Sequence, residues 1–343
     1  MKNYKKNKKL LEKNNIYSSN MEHDACGVGM IASTNGKKSR KIVDYGIEAL
    51  KAIWHRGAVD ADGKSGDGAG IQLEIAPDFF KKKIHATGHN HDDKKRICVG
   101  MIFLPRTNYS DQEKSREIIE SVLLEENFSI YGWRQVPVNP KVLGKTADQS
   151  RPEIAQVLFK KNEELNTNVL ERQLFVARKK IENLARKCQL KNFYICSFSS
   201  RSIVYKGMFL AESLADFYPD LNDKDFTSRF AIFHQRYSTN TFPSWDLAQP
   251  FRTLAHNGEI NTVKGNINWM KIHEQDMSSS LFKNMDDLKP VIIPGSSDSG
   301  ALDNVFELLT HSGKLAPLIK LMMIPDAWSK RSKTVPKNHQ DLF

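Results

Sequence analysis

The alternation of apolar and polar positions along the chain predicts short strands mixed with amphipathic helices. CGVGMIAS (26–33) reads as a short apolar strand whose glycines let another backbone approach closely. Over 42–54, Ile42, Gly46, Ile47, Leu50, Ile53 and Trp54 recur on one helical stripe, which ends at the turn-like HRGAVDADG. IQLEIAP and ICVGMIFLP read as strands on either side of a polar, His-bearing loop over 81–96. Residues 111–126 and 165–187 read as helices, with the proline-interrupted VPVNP between them. FYICSFSSRSIVYKGM and FAIFHQRYST supply further strands, TLAHNGEINTV another with a turn, and SSDSGALDNVFELLTHSG a capped helix. No repeat and no long linker divides the chain.

With 343 residues, 40% of them hydrophobic and 27% charged, the chain has ample capacity for a core, which excludes a disordered or fibrous protein. The longest apolar runs fall well short of the about 20 residues that cross a bilayer. The Lys- and Asn-rich first twenty residues have no apolar signal core. Together these predict a cytoplasmic protein with no membrane partner.

The net charge of +11 raises the question of nucleic acid. More than half of that excess, however, sits in residues 1–25 and 328–343. The internal basic clusters lack the interleaved aromatics of a base-stacking surface, so no nucleic-acid partner is expected.

Four cysteines show no CxxC pair and no iron–sulfur or metal-ligand spacing. Cys98 and Cys196 lie in apolar strands and read as buried hydrophobes, and Cys188 reads as a bystander in a basic stretch. GAVDADGKSGDGAG fails as a P-loop, as a dinucleotide fingerprint and as an EF-hand, on spacing or on the residue at position 71. It reads instead as a structural loop that needs positive φ, with Asp60, Asp62 and Asp67 making local turn bonds. His85, His89 and His91 are loop histidines beside acids, and no metal is assigned to them.

Cys26, directly before Gly27, and the polar turn Asn257-Gly258 remain as the chemistry-bearing positions. A thiol nucleophile with a two-donor oxyanion hole is the minimum equipment for acyl transfer. A free thiol is mostly protonated at neutral pH, and no catalytic His pairs with Cys26 in the nearby sequence. Cleavage between Ala25 and Cys26 would create an α-amino group of pKa about 7.7–8.0, a base carried by the nucleophile's own residue. The division expected is a leader over 1–25, removed, and a catalytic domain over 26–343. Translation from Met21 is the variant that would leave only MEHDA to remove.

Five strings in order, CGVGMIAS, WHRGAVDADGKSGDGAG, HQRYSTNTFPSW, HNGEINT and PGSSDSGALDN, closely resemble the glutaminase domain of glutamate synthase large subunits. The wider family is the class II glutamine amidotransferases, which are N-terminal-nucleophile hydrolases. The resemblance spans 22–343 and implies an α+β fold, a four-layer αββα sandwich of two mainly antiparallel sheets. It implies that Cys26 attacks the side-chain amide of L-glutamine, forming a thioester and releasing ammonia. Asn257 and Gly258 would hold the oxyanion. Arg236, helped by Thr239, would clamp the α-carboxylate, Asp298 would accept the α-ammonium, and Arg56 would order the Cys26 backbone. Taken singly, Asn257-Gly258 is a common hairpin signal, Arg236 could be a surface arginine and Asp298 a helix cap.

Family members continue into domains carrying FMN and a 3Fe-4S cluster, which use the ammonia for reductive amination of 2-oxoglutarate. No cofactor is expected in this chain itself, whose end at PKNHQDLF precedes the usual end of the amidotransferase domain. The partner implied is a synthase domain or subunit that accepts ammonia. Three alternatives stand beside the glutaminase: an unprocessed binding module, a basic nucleic-acid binder, and another class II amidotransferase serving a sugar or nucleotide precursor.

Overall fold

The computed structural model of the chain describes residues 2–14, 18, 27–236, 241–324 and 337. Among the described residues eight strands form: β1 (Val28–Ala32), β2 (Ser65–Glu74), β3 (Cys98–Leu104), β4 (Phe128–Gln135), β5 (Glu153–Lys161), β6 (Tyr194–Ser199), β7 (Ser202–Phe209) and β8 (Phe230–Gln235). They make two four-stranded sheets, ordered β1-β8-β2-β7 and β4-β5-β3-β6, with every named pairing antiparallel. β6 and β7 belong to different sheets, so the chain passes from one sheet to the other within Ser200 and Arg201.

Burial explains the strand composition. All ten positions of β2 and all seven of β3 are buried, so both read as continuous apolar or small-residue runs rather than alternating ones. Ile71, Tyr205 and Phe209 from the first sheet share one continuous core with Val99, Met101 and Leu158 from the second. The helix Arg40–Ala52 packs on β1 and β8 through Ile42, Val43, Gly46, Ile47 and Leu50. Helices Tyr109–Glu125 and Thr167–Lys187 cover the second sheet, bringing Ile119, Val122, Leu174 and Ile181 against Ile102, Phe159 and Ile195. The result is the expected α+β fold, an αββα sandwich of two antiparallel sheets. β1 is an edge strand of its sheet, bonded among the described residues to β8 alone and partly exposed along its length.

Several local expectations change. The expected 81–96 loop begins within the helix Pro77–His85, because Pro77 takes the first-turn position and Phe79, Phe80 and Ile84 reach the core. Trp54 leaves the expected stripe: the helix stops at Ala52, and Trp54 is 63% exposed in a 3-10 turn, Trp54–Arg56. SGDGAG is the buried start of β2 rather than loop. TLAHNGEINTV contains no strand; it runs irregularly and feeds the helix Val263–Asp276. β4 and β5 went unread between the two predicted helices. β4 carries a glycine-centred irregularity at Gly132, which breaks its alternation.

Candidate active site

The C-terminal end of β8 organises the site. β8 lies between β1 and β2, so its last residues touch both. The Gln235 backbone N–H donates to the Gly27 carbonyl at 2.6 Å, and the Arg236 N–H donates to the Gly68 carbonyl at 2.7 Å. Gly57, directly after the turn bearing Arg56, lies against the Gln235 side chain. Gly27 therefore sits at one corner of the site. Cys26, immediately before it, lies outside the described residues, as does Thr239.

The Asn257 side chain reaches the same corner. A β-carbon on Gly27 would stand 3.0 Å from Asn257 Oδ1 and would collide with the Gln235 carbonyl, so only glycine admits this approach. Gly258 follows, its α-carbon resting on the His256 ring: a β-carbon there would be 2.8 Å from Nε2. Residues 252–256 have no strand partner and are tied down by side chains instead. Arg252 donates to the Ile195 carbonyl at 2.6 Å and pairs with Glu182 at 2.9 Å. Asp303 accepts from Thr253 N at 2.8 Å, Thr253 Oγ1 at 2.7 Å and Leu254 N at 3.0 Å.

Asp298 opens the helix Asp298–His311, but the cap is Ser297, whose hydroxyl accepts from Gly300 N at 3.0 Å. Asp298 instead accepts from Ile260 N at 3.0 Å and from Ser299 N at 2.6 Å, which ties the helix start to the segment after Gly258. The His256 ring adds a second tie, Nδ1 to Ser299 Oγ at 2.9 Å. Burial lowers the His256 pKa, and the Asp298 charge opposes that shift. A cavity of about 860 Å³ opens beside His256, Glu259 and Asp298, walled by Trp269, Leu302 and Met323.

Arg236 is exposed and its φ is +106°, a region that non-glycine residues enter only under constraint. Beneath it lies Asp67, 5% exposed, with neither carboxylate oxygen hydrogen-bonded among the described residues. Burial pushes the Asp67 carboxyl up to about 6, against the pull of the Ala58 backbone and of the Arg236 charge. The expectation of local turn bonds therefore holds for Asp60 and Asp62 but not for Asp67. Asp60 accepts from Ala61 N, and Asp62 accepts from Lys64 N, Ser65 N and Ser65 Oγ. Arg56 is exposed on its 3-10 turn, one residue from the Gly57–Gln235 contact.

The remaining thiols stand apart from this site. Cys98 and Cys196 are buried in β3 and β6, where burial raises both pKa values, that of Cys196 to about 12; Cys188 is exposed at a helix end. No group of three or more His, Cys, Asp or Glu among the described residues is arranged to hold a metal ion. The second half of the glycine-rich run, Ser65 to Gly70, lies within β2. No helix among them is long and apolar enough to cross a membrane.

The profile of the class-II glutamine amidotransferases matches residues 26–343. The chain belongs to that family. This amidotransferase chain is 53% identical over 341 residues to the glutamate synthase [NADPH] large chain of Azospirillum brasilense, covering 99% of this chain and 22% of that protein. It is 43% identical over 327 residues to the ferredoxin-dependent glutamate synthase of Pyropia yezoensis, covering 94% and 21%. It is 40% identical over 319 residues to the glutamate synthase [NADPH] large chain of Bacillus subtilis, covering 92% and 21%. The amidotransferase chain therefore spans about a fifth of the length of these relatives.

The structure brings Asn257, Gly258 and Asp298 into one connected group beside Gly27, with Arg236 at the neighbouring end of β8. Sequence reading missed His234, Gln249, Arg252 and Asp303, which are buried and hold the site's backbone. A signal for Asp303 existed, since Asp303, Asn304 and Glu307 interrupt the apolar face of a helix that must pack. No comparable signal marks Gln249.

Proposed function

We propose that this chain is the glutaminase part of a glutamate synthase, hydrolysing the side-chain amide of L-glutamine and delivering ammonia to synthase domains or a synthase subunit. The observation that carries this reading is the approach of the Asn257 side chain to Gly27, the residue that directly follows Cys26.

In this reading the leader over 1–25 is removed and the freed Cys26 amine takes the thiol proton. The sulfur attacks the amide carbon, and the carbonyl oxygen becomes an oxyanion held by the Asn257 side chain and the Gly258 N–H. Each such donor contributes about 2.7–4 kcal/mol to the transition state. The amine then returns the proton to the leaving nitrogen as the C–N bond breaks, leaving a γ-glutamyl thioester and free ammonia. Water, deprotonated by the same amine, hydrolyses the thioester to glutamate and restores the thiol. Arg236 and Thr239 hold the α-carboxylate, Asp298 holds the α-ammonium, and Arg56 orders the chain at Cys26.

Several observations support these roles. Arg236 is exposed, cationic and constrained in its backbone. Asp298 is 3% exposed at the edge of a cavity large enough for an amino acid. The relatives carry NADPH and ferredoxin in their names, and reductive use of the ammonia is the step this proposal assigns to parts beyond this chain, with FMN and iron–sulfur chemistry supplied there. The compartment implied is the cytoplasm.

The test is peptide-mapped mass spectrometry after exposure to a diazo-ketone analogue of glutamine. Label on a Cys26 that has become the first residue supports the proposal. An unlabelled chain that retains its leader would overturn it in favour of a binding module.

A further inference from the structure

The irregular segment that carries the oxyanion turn poses a packing problem, because residues 252–262 belong to no strand and no helix. Buried backbone groups there need partners from side chains. At His256 the supply is complete. Gln249, 1% exposed, accepts from the His256 N–H through Oε1 at 2.8 Å and donates from Nε2 to the His256 carbonyl, also at 2.8 Å. One carboxamide thereby imitates a strand neighbour, taking both backbone groups of a single residue. His234, fully buried on β8, adds Nε2 to the same carbonyl at 3.2 Å. Both lone pairs of that oxygen are used.

We propose that Gln249 and His234 are positioning residues of the oxyanion turn, acting through the His256 main chain. This rests on the reading of Asn257 and Gly258 as oxyanion donors. The His256 carbonyl lies in the same peptide plane as the Asn257 N–H, so fixing that oxygen from two sides fixes where the Asn257 Cα and side chain begin. The His256 ring completes the arrangement, bonded to Ser299 Oγ on one side and carrying the Gly258 α-carbon on the other. The donor role asked of His234 suits its state: burial keeps the ring neutral, with its pKa lowered to about 4, and the bond to the carbonyl places the proton on Nε2. Because an oxyanion exists only after attack, a turn held less firmly loses transition-state stabilisation while substrate binding is kept.

The experiment compares Gln249→Leu, His234→Phe and His234→Gln with the unaltered full chain. It reads kcat and KM for glutamine hydrolysis, and amide hydrogen exchange across residues 254–260 by mass spectrometry. The expected result for Gln249→Leu is a fall in kcat of about ten- to a hundredfold, of the order that small misplacements produce, with KM within about twofold and faster exchange at 254–260. His234→Phe shows a smaller loss of the same kind, and His234→Gln, which can still donate, recovers part of it. Unchanged kcat, or a loss shared equally with KM, overturns the proposal. Should Gln249→Leu fail to fold, the Phe and Gln variants at His234 decide by the same readings. If the unaltered chain does not hydrolyse glutamine, the functional reading fails; unaltered exchange at 254–260 in the variants then overturns the positioning claim separately.

Discussion

The Asn257 side chain and the Gly27 α-carbon meet, although 229 positions lie between them in the sequence, and they meet so closely that a β-carbon on Gly27 would stand 3.0 Å from Asn257 Oδ1. Gly27→Ala is therefore expected to displace Asn257 and to strain the Gln235 carbonyl at once. The expected outcome is a kcat loss comparable to that of Asn257→Ala, about 10²–10³-fold, with modest change in KM. Steady-state kinetics of both variants checks this, and a Gly27→Ala enzyme of normal kcat would show that the contact is incidental.

In the proposed glutaminase, Arg236 and Asp298 divide the charges of the substrate's α-carboxylate and α-ammonium. Arg236→Lys keeps the charge and loses the planar fork, so KM for glutamine is expected to rise about tenfold or more while kcat changes little. Asp298→Asn is expected to raise KM for glutamine but to leave the already poor KM of a substrate lacking the α-amine unchanged. Equal effects on both substrates would place the Asp298 charge away from the ammonium.

If Arg236 holds the substrate carboxylate as proposed, Asp67 gives that contribution its own pH dependence. Its carboxyl is charged above about 6 and neutral below. Once neutral it no longer attracts the guanidinium, so KM is expected to rise as pH falls through 6. Asp67→Asn is expected to show a raised KM with no such inflection. A KM profile identical to that of the unaltered chain would detach Asp67 from substrate binding.

Acid sensitivity of the fold should follow the buried histidines. His234 is lowered to about 4 and His311 to about 3, both by burial. An unfolded histidine, with pKa about 6.5, binds a proton before these do, so stability falls as pH drops from about 6.5 toward 4. For His234 the full effect is about 3 kcal/mol. Urea unfolding at pH 7.5 and pH 5 should show His234→Gln flattening the decline, and an unchanged slope would contradict the assignment.

The charged core beneath the site is a further point of attack. Arg178 pairs with Glu182 at 2.6 Å and Glu307 at 2.5 Å, all nearly buried, and Arg252 joins Glu182 at 2.9 Å. Glu307→Ala leaves Arg178 short of a partner and is expected to cost about 3–5 kcal/mol. Replacing Arg178 and Glu307 together by apolar residues should cost less than the sum, which a double-mutant cycle measures.

Sequence made the fold class legible through the resemblance, and most elements through periodicity, wherever burial is one-sided. The stripe Ile42, Gly46, Ile47 and Leu50 is a clear case, because that helix has one buried face. Where burial is two-sided or the backbone irregular, periodicity fails. β2 carries Ser65-Gly66-Asp67-Gly68 in a fully buried strand, so its start looks like a loop. TLAHNGEINTV reads as a strand with a turn, but the hydrogen bonds of this run go to Gln249, Asp298 and Asp303. Asn257, Gly258, Asp298 and Arg236 were named from motif strings, and their grouping needed the fold. Gln249 had no local signal, since its partner lies seven residues on in a segment without regular structure.

The edge position of β1 separates two kinds of stability. Among the described residues β1 is held by one neighbour, its Met30 is 66% exposed, and the chain ahead of it leads straight to Cys26. Peeling this five-residue strand from β8 breaks one ladder and leaves the core between the sheets intact. Warming or mild denaturant should consequently silence the enzyme through a local opening well before the protein melts, and inactivation and unfolding curves need not coincide.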